Sequence, residues 1–169
     1  DVVCPNFMTL EAFMDLPENP RTVLALDGVT NPQNVGMIIR SAVAAGVDGL
    51  LYPKRGIASL GPLVIKASAG NVFRAPVIRC DATASAVAAL RAKGYEVATL
   101  EASGETSLFE FKAVDSVVCV LGGESYGIGR EVAALADNRL TIPMANGVES
   151  LNVAVTAALV SFRLGQTPD

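Results

Sequence analysis

Residues 22–52 read TVLALDGVTNPQNVGMIIRSAVAAGVDGLLY, and the fold class follows from how this run changes period. Its opening, 22–26, is a short apolar run bounded by a turn-rich loop at 27–33, the pattern of a buried strand. From 34 to 45 the apolar positions Val35, Ile38, Ile39, Ala42 and Val43 recur at helical spacing, and Gly46 closes the run. A second apolar strand at 49–52 ends at Pro53. Strand, helix and strand in this order make a parallel pair joined by a crossover helix.

Downstream the alternation continues. The sequence predicts a short helix at 62–68, a strand at 77–78, and an Ala/Val-rich helix capped by Asp81 or Thr83 that runs through Lys93 and stops at Gly94. Strands follow at 95–100 and 117–121, and a Gly-rich loop at 122–129 opens a helix at 130–136. A last strand at 139–142 precedes a final helix at 151–164 with Ser150 as its cap. Upstream, prolines at 5, 17 and 20 flank an amphipathic run at 10–16, so 1–21 reads as a linker or peripheral segment before one domain at 22–169. Strands alternating with helices imply an α/β fold, a mostly parallel sheet with helices on both faces. Ligands of such sheets gather in loops beyond the carboxyl ends of the strands.

Composition narrows the chemistry. The 169 residues are 51% hydrophobic and 18% charged, which suits a packed domain, and His is absent. Without His the commonest general base and the commonest transition-metal ligand are missing, and no Ser or Cys has a His partner for hydrolysis. Cys4, Cys80 and Cys119 lack CxxC spacing and read as free thiols of a reducing cytoplasm, not a zinc site. Charges interrupt each apolar run before it reaches membrane-spanning length. The net charge of −4 is uneven, because Arg40, Lys54, Arg55, Lys66, Arg74 and Arg79 are opposed only by Asp48 between 40 and 80. That segment is a candidate phosphate-facing surface for RNA, with ordinary solvated charges as the alternative.

Three loops carry unusual polar residues. In the first, Asn34 lies near the start of a helix and Arg40 six residues on, about 120° away around the axis. In the second, LGGESYGIG at 121–129, glycines follow a buried strand and let backbone approach a ligand, with Glu124 among them. It is neither a dinucleotide fingerprint nor a P-loop. In the third, LTIPMANGVESLNV at 140–153, a strand runs into a loop and then a helix with Ser150 and Asn152 at its start.

Together, Asn34-x5-Arg40, Leu-Gly-Gly-Glu-x-x-Gly and Ile-Pro-Met-x-x-x-Val-x-Ser-Leu-Asn-Val resemble the three motifs of the SpoU (TrmH-type) RNA 2′-O-ribose methyltransferases of the SPOUT superfamily, in the same order. Lys66-Ala-Ser-Ala-Gly70 resembles a further family segment, and the likeness runs from about Val23 to Leu164. It implies a C-terminal deep trefoil knot, which no periodicity would reveal. It also implies an S-adenosylmethionine pocket at Leu121, Gly122, Ile142, Met144, Ser150 and Leu151, with S-adenosylhomocysteine as product and no metal. The implied catalytic set is Asn34, Arg40, Glu124, Ser150 and Asn152, with Glu124 orienting Arg40. A homodimer with active sites near its interface is implied too, the apolar last helix being part of it. Many members carry an upstream RNA-binding domain, which the chain's start at Asp1 would fit. Ser125 and Tyr126 depart from the pattern, where Gly is common, as does Asn71, where Ala is usual. A knotted module that binds donor or nucleotide without methyl transfer is the alternative; it predicts loss of a catalytic group, and none is lost. A Rossmann-type methyltransferase would carry Gly-x-Gly after the first strand, which this chain lacks.

Overall fold

The computed structural model describes residues 6–18 and 20–165, so Cys4, Pro5 and the termini lie outside the account. Strand β1 (Met8–Thr9) and helix α1 (Leu10–Met14) lead into β2 (Thr22–Asp27), α2 (Pro32–Ala45), β3 (Gly49–Pro53), α3 (Pro62–Ala67) and β4 (Val77–Cys80). Helix α4 (Thr83–Ala92), β5 (Glu96–Leu100), β6 (Thr106–Ser107), β7 (Val117–Gly122), α5 (Arg130–Ala133), β8 (Asn138–Thr141) and α6 (Val153–Gly165) complete the chain. The strands form one sheet in the order β1-β4-β3-β2-β7-β5-β8-β6, and every pairing among the described residues is parallel.

Side chains alternate across each strand, and the alternation divides the core in two. Leu24, Leu26, Cys119 and Leu121 pack with α2, α3 and α6 on one face. Val23, Ala25, Val118 and Val120 pack with α1, α4 and α5 on the other. Both faces being covered, the central strands are apolar throughout rather than alternating, as the run at 22–26 foretold. The edge strands have two residues each, which leaves little open backbone for stray pairing. Phe13 of α1 is buried against the second face and β1 pairs with β4, so β1 and α1 pack onto the edge of the sheet. Cys80 and Cys119 are free and buried, and desolvation pushes their thiols up to about 11 and about 12. No helix of the described residues is long and apolar enough to cross a membrane.

Several caps differ from expectation. Neither Asp81 nor Thr83 caps α4: Asp81 pairs with Lys54, and the Thr83 hydroxyl donates to the Leu26 carbonyl instead. Helix α5 ends at Ala133, three residues short of the expected 136. Helix α6 begins at Val153, and Asn152, not Ser150, caps it by accepting the Ala154 N–H at 2.8 Å. Ala-Asn-Gly-Val at 145–148 forms a tight turn with left-handed Asn146 (φ 55°) and Gly147 (φ 75°) ahead of the helix.

Helix α6 fixes the far end of the fold. Val153, Ala154, Ala157 and Val160 are buried between α2 and strands β2 and β7, each valine contributing about 1.5 kcal/mol or more. The Thr22 hydroxyl donates to the Leu164 carbonyl at 2.8 Å. On its other side the Arg163 guanidinium donates to the carbonyls of Phe109 and Phe111, at 3.3 and 2.7 Å. The chain between β6 and β7 therefore lies along α6.

Candidate active site

Strands β2 and β7 are neighbours, paired through Asp27 and Gly122, but their following helices leave for opposite faces of the sheet. A crevice opens where such connections diverge. Its floor is tight. The Gly123 N–H donates to the Asp27 carbonyl at 2.7 Å, and the Gly129 N–H donates to the Asp27 carboxylate at 2.7 Å. A Cβ on Gly123 would stand 2.0 Å from the Gly28 oxygen, and one on Gly122 would stand 2.3 Å from the Gly127 carbonyl carbon. Gly122 and Gly123 of LGGESYGIG are thus demanded by backbone contact within the chain, and Gly127 by its left-handed φ of 64°.

Three of the sequence-derived residues meet in this crevice. Asn31 caps α2, accepting the N–H groups of Gln33 and Asn34, so the Asn34 side chain is free for other partners. Asn34 is 6% exposed, and its amide donates to the Glu124 carboxylate at 2.5 Å. The Asn152 amide donates to the Asn34 oxygen at 3.2 Å and to the same Glu124 oxygen at 3.4 Å. Because the Asn152 oxygen is committed to the helix cap, its NH₂ must face the cluster, and that orients Asn34 in turn. Elements far apart in the sequence are tied together by three side chains.

Beside the cluster lies a cavity of about 260 Å³ at the carboxyl ends of β5, β7 and β8. Leu121, Gly122, Ile142, Met144, Ser150 and Leu151 all line it, together with Glu124. Sequence reasoning missed Glu101, Thr141, Glu149 and Thr156, which line it as well. Glu101 follows β5 directly, so the rule that ligands sit beyond strand ends was the signal for it. Three carboxylates (Glu101, Glu124, Glu149) face the cavity, and no Lys or Arg does.

Arg40 stands apart. Buried Asn34 faces inward, whereas Arg40 belongs to the exposed stripe of α2 with Gln33 and Met37. Glu124 binds Asn34 and Asn152 and makes no hydrogen bond or ion pair to Arg40 within the chain, unlike the expectation that it orients this guanidinium. The six-residue offset explains the separation. Ser150 is exposed at the cavity wall. Of the basic segment, Lys54 pairs with Asp81 at 2.5 Å, a hydrogen bond that raises the lysine and lowers the carboxyl. Arg79 lies over the Phe7 ring, 5.5 Å from its centre. Arg55, Lys66 and Arg74 are exposed between β3 and β4, Arg55 on a loop, Lys66 on α3 and Arg74 on the 3-10 turn that follows it. Among the described residues no group of three His, Cys, Asp or Glu side chains could hold a metal ion.

Comparison with known proteins gives a consistent picture. The model of the SpoU rRNA Methylase family matches residues 21–162. A Staphylococcus aureus (strain MSSA476) protein bearing a TrmH family tRNA/rRNA methyltransferase name is 40% identical over 147 residues, 87% of this chain and 59% of its own length. The chain thus spans about three-fifths of the curated relatives it matches. The AdoMet-bound rRNA methyltransferase of Sinorhizobium meliloti superposes with a TM-score of 0.80 at 30% identity, covering 90% of this chain and 59% of that one. A structure described as giving insights into the 2-OH methylation of C/U34 on tRNA superposes at 0.72 with 30% identity, covering 86% and 94%.

Proposed function

The chain belongs to the SpoU rRNA methylase family, and we propose that it transfers a methyl group from S-adenosylmethionine to a ribose 2′-hydroxyl of ribosomal or transfer RNA, leaving S-adenosylhomocysteine. The observation that carries this reading is the cavity walled by Leu121, Gly122, Ile142, Met144, Ser150 and Leu151 next to the Asn34–Glu124–Asn152 cluster. The residues fit the donor. Leu121, Ile142 and Leu151 offer apolar walls for a purine, and three carboxylates without a cation suit a ligand of net positive charge. The same charge disfavours a nucleotide phosphate, which counts against a nucleotide-binding module.

When bound, the donor supplies a methyl group made electrophilic by its positive sulfur, so the transfer calls for neither a metal nor His. The chain's own residues then have to place and activate the hydroxyl. Glu124 locks the amides of Asn34 and Asn152, and these with Ser150 position substrate and donor. Arg40 carries a guanidinium, which offers donors and no acceptor and is therefore a poor base. It acts as the cation that lowers the hydroxyl's pKa and holds the adjoining phosphate, the proton passing to water. Arg55, Lys66 and Arg74 serve as further RNA contacts, and Lys54 a weaker one because Asp81 neutralises it.

Met37, Val155 and Phe162 are 46%, 45% and 46% exposed on α2 and α6, and this apolar face supports a homodimer. Such an interface takes in Arg40, which shares the exposed stripe with Met37, so Arg40 serves a site completed by the partner. The C-terminal passage is a deep trefoil knot in this reading. Its support is that α6 packs on α2, β2 and β7 while Arg163 near its end is bonded to the β6–β7 connection. An RNA substrate and free thiols fit the cytoplasm.

Incubation with methyl-labelled donor and unmodified RNA tests the activity. Label is expected in a product that resists alkaline cleavage at the methylated nucleotide; label on a base refutes the ribose assignment. Arg40→Ala is expected to abolish transfer while donor binding by calorimetry is kept, and full turnover by this variant would remove Arg40 from the site.

A further inference from the structure

The three tyrosines differ sharply in environment. Tyr52 and Tyr95 are 6% and 3% exposed, whereas Tyr126 is 98% exposed. Tyr126 sits on the turn between β7 and α5, two residues from Glu124. That turn is anchored. The Gly127 N–H donates to the Gly123 carbonyl at 2.9 Å, Gly122 packs on the Gly127 peptide, and Asp27 holds Gly123 and Gly129. An aromatic ring on a fixed turn, covered by nothing in the chain, presents a flat face at no cost in loop ordering.

The turn also divides two cavities. On one side is the pocket lined by Gly122, Gly123 and Glu124. On the other is an open cleft of about 810 Å³ lined by Asp27, Lys54, Arg55, Asp81, Arg130 and Glu131 among others. Lys54 is paired with Asp81, which also attracts Arg55, and neither Arg55 nor Arg130 forms an ion pair with an acid among the described residues. Asn34 is buried and Glu124 lines a cavity, so an unpaired nucleotide is the form that carries its ribose into the Asn34–Glu124–Asn152 cluster with least obstruction, and its unstacked base needs a new surface. Proteins that read single-stranded RNA supply that surface with aromatic side chains.

We propose that Tyr126 is the stacking platform for the base of the nucleotide whose ribose is methylated, with Arg55 and Arg130 beyond it on the flanking phosphates. The inference rests on the ribose-methylation reading and adds the residue that holds the substrate base. Tyr126 positions and does not react. Stacking tolerates any base, so the platform favours an unpaired nucleotide without choosing its identity.

Tyr126→Ala and Tyr126→Phe test it in the full chain. Two measurements are made: methyl transfer into unmodified RNA, and fluorescence of a single-stranded RNA 12-mer with one 2-aminopurine, bound in the presence of S-adenosylhomocysteine. The alanine variant is expected to raise KM for RNA by about 10-fold or more at little change in kcat. Its donor affinity and melting temperature should stay those of the parent, its 2-aminopurine quenching should be lost, and the phenylalanine variant should restore both RNA readouts. An unchanged KM and unchanged quenching overturn the proposal while leaving methylation standing. Failure of the parent protein to methylate any ribose refutes the underlying reading instead. If Tyr126→Ala sediments as a smaller species than the parent, Tyr126 belongs to a subunit contact and the proposal falls.

Discussion

Gly122→Ala is the smallest change that should damage the donor pocket, and its cost can be worked from the geometry. The added Cβ would lie 2.3 Å from the Gly127 carbonyl carbon, 2.5 Å from the Ile128 nitrogen and 2.7 Å from the Gly127 oxygen. Ordinary contact begins at 3.4 Å, so this backbone must retreat by about 1 Å. It cannot do so freely, because Gly127 is bonded to Gly123 and Gly129 to Asp27. Overpacking of this kind costs about 1–3 kcal/mol, and a chain of this size loses about 2–4 °C of melting temperature per kcal/mol. The displaced turn carries Glu124 away from Asn34 and Asn152, and a misplacement of about 1 Å can cost about 100-fold in rate. Calorimetry should therefore show donor affinity lowered by about 10-fold or more, alongside a melting temperature lower by about 2–12 °C. Gly61→Ala is the control, since the nearest atom to its Cβ is the Ser59 hydroxyl at 3.7 Å and its φ is −96°. If Gly122→Ala melts and binds donor like the Gly61 variant, the reasoning from close approach is wrong.

Asn152 combines a helix cap with a place in the polar cluster, and two variants separate these roles. Asn152→Asp keeps the oxygen that accepts the Ala154 N–H but loses the donor to Asn34 and Glu124, so methyl transfer should fall while α6 stays capped. Asn152→Ala should lose transfer and about 1 kcal/mol of stability in urea unfolding; equal stability of the alanine variant and the parent would remove the cap. Glu149→Gln should weaken donor binding several-fold, an exposed charge contributing about 1 kcal/mol or less, and flatten its dependence on salt. Unaltered affinity across a salt series would count against a cationic ligand. The hydrogen bond from Arg91, helped by the Val97 N–H, holds the Asp137 carboxyl below its ordinary range. Its stabilisation is complete above the unfolded value of about 3.9 and is lost as pH falls through the lower folded value. Arg91→Ala should thus lower the urea midpoint slightly at pH 7 and converge with the parent near pH 2; a gap that widens on acidification contradicts the sign.

How much of this was legible in the sequence depends on distance along the chain. The strand at β2 and the helix at α2 were readable because burial imposes apolar runs and a 3.6-residue period on consecutive residues. Caps were less so. Ser150 and Asn152 are both good cap residues, and the choice between them rests on which side chain accepts the first free N–H of α6, a bond that Asn152 makes to Ala154. Strands β1 and β6 were invisible, because two residues carry no period and exist only by pairing with β4 and β8.

The polar cluster shows the limit most clearly. Nothing local separates Asn34 from an ordinary helix-start residue. Once Asn31 takes the capping role, Asn34 becomes a buried amide that needs partners, and its partners are 90 and 118 residues away. A buried amide left unpaired would cost about 1–3 kcal/mol, so Asn34, Glu124 and Asn152 depend on one another for structural reasons alone. Structure by itself would accept three apolar residues here as readily. Retaining a carboxylate and two oriented amides beside a cavity lined by no Lys or Arg is what supports the proposal that the stretch from Ile142 to Asn152 walls a reaction site rather than a helix entry.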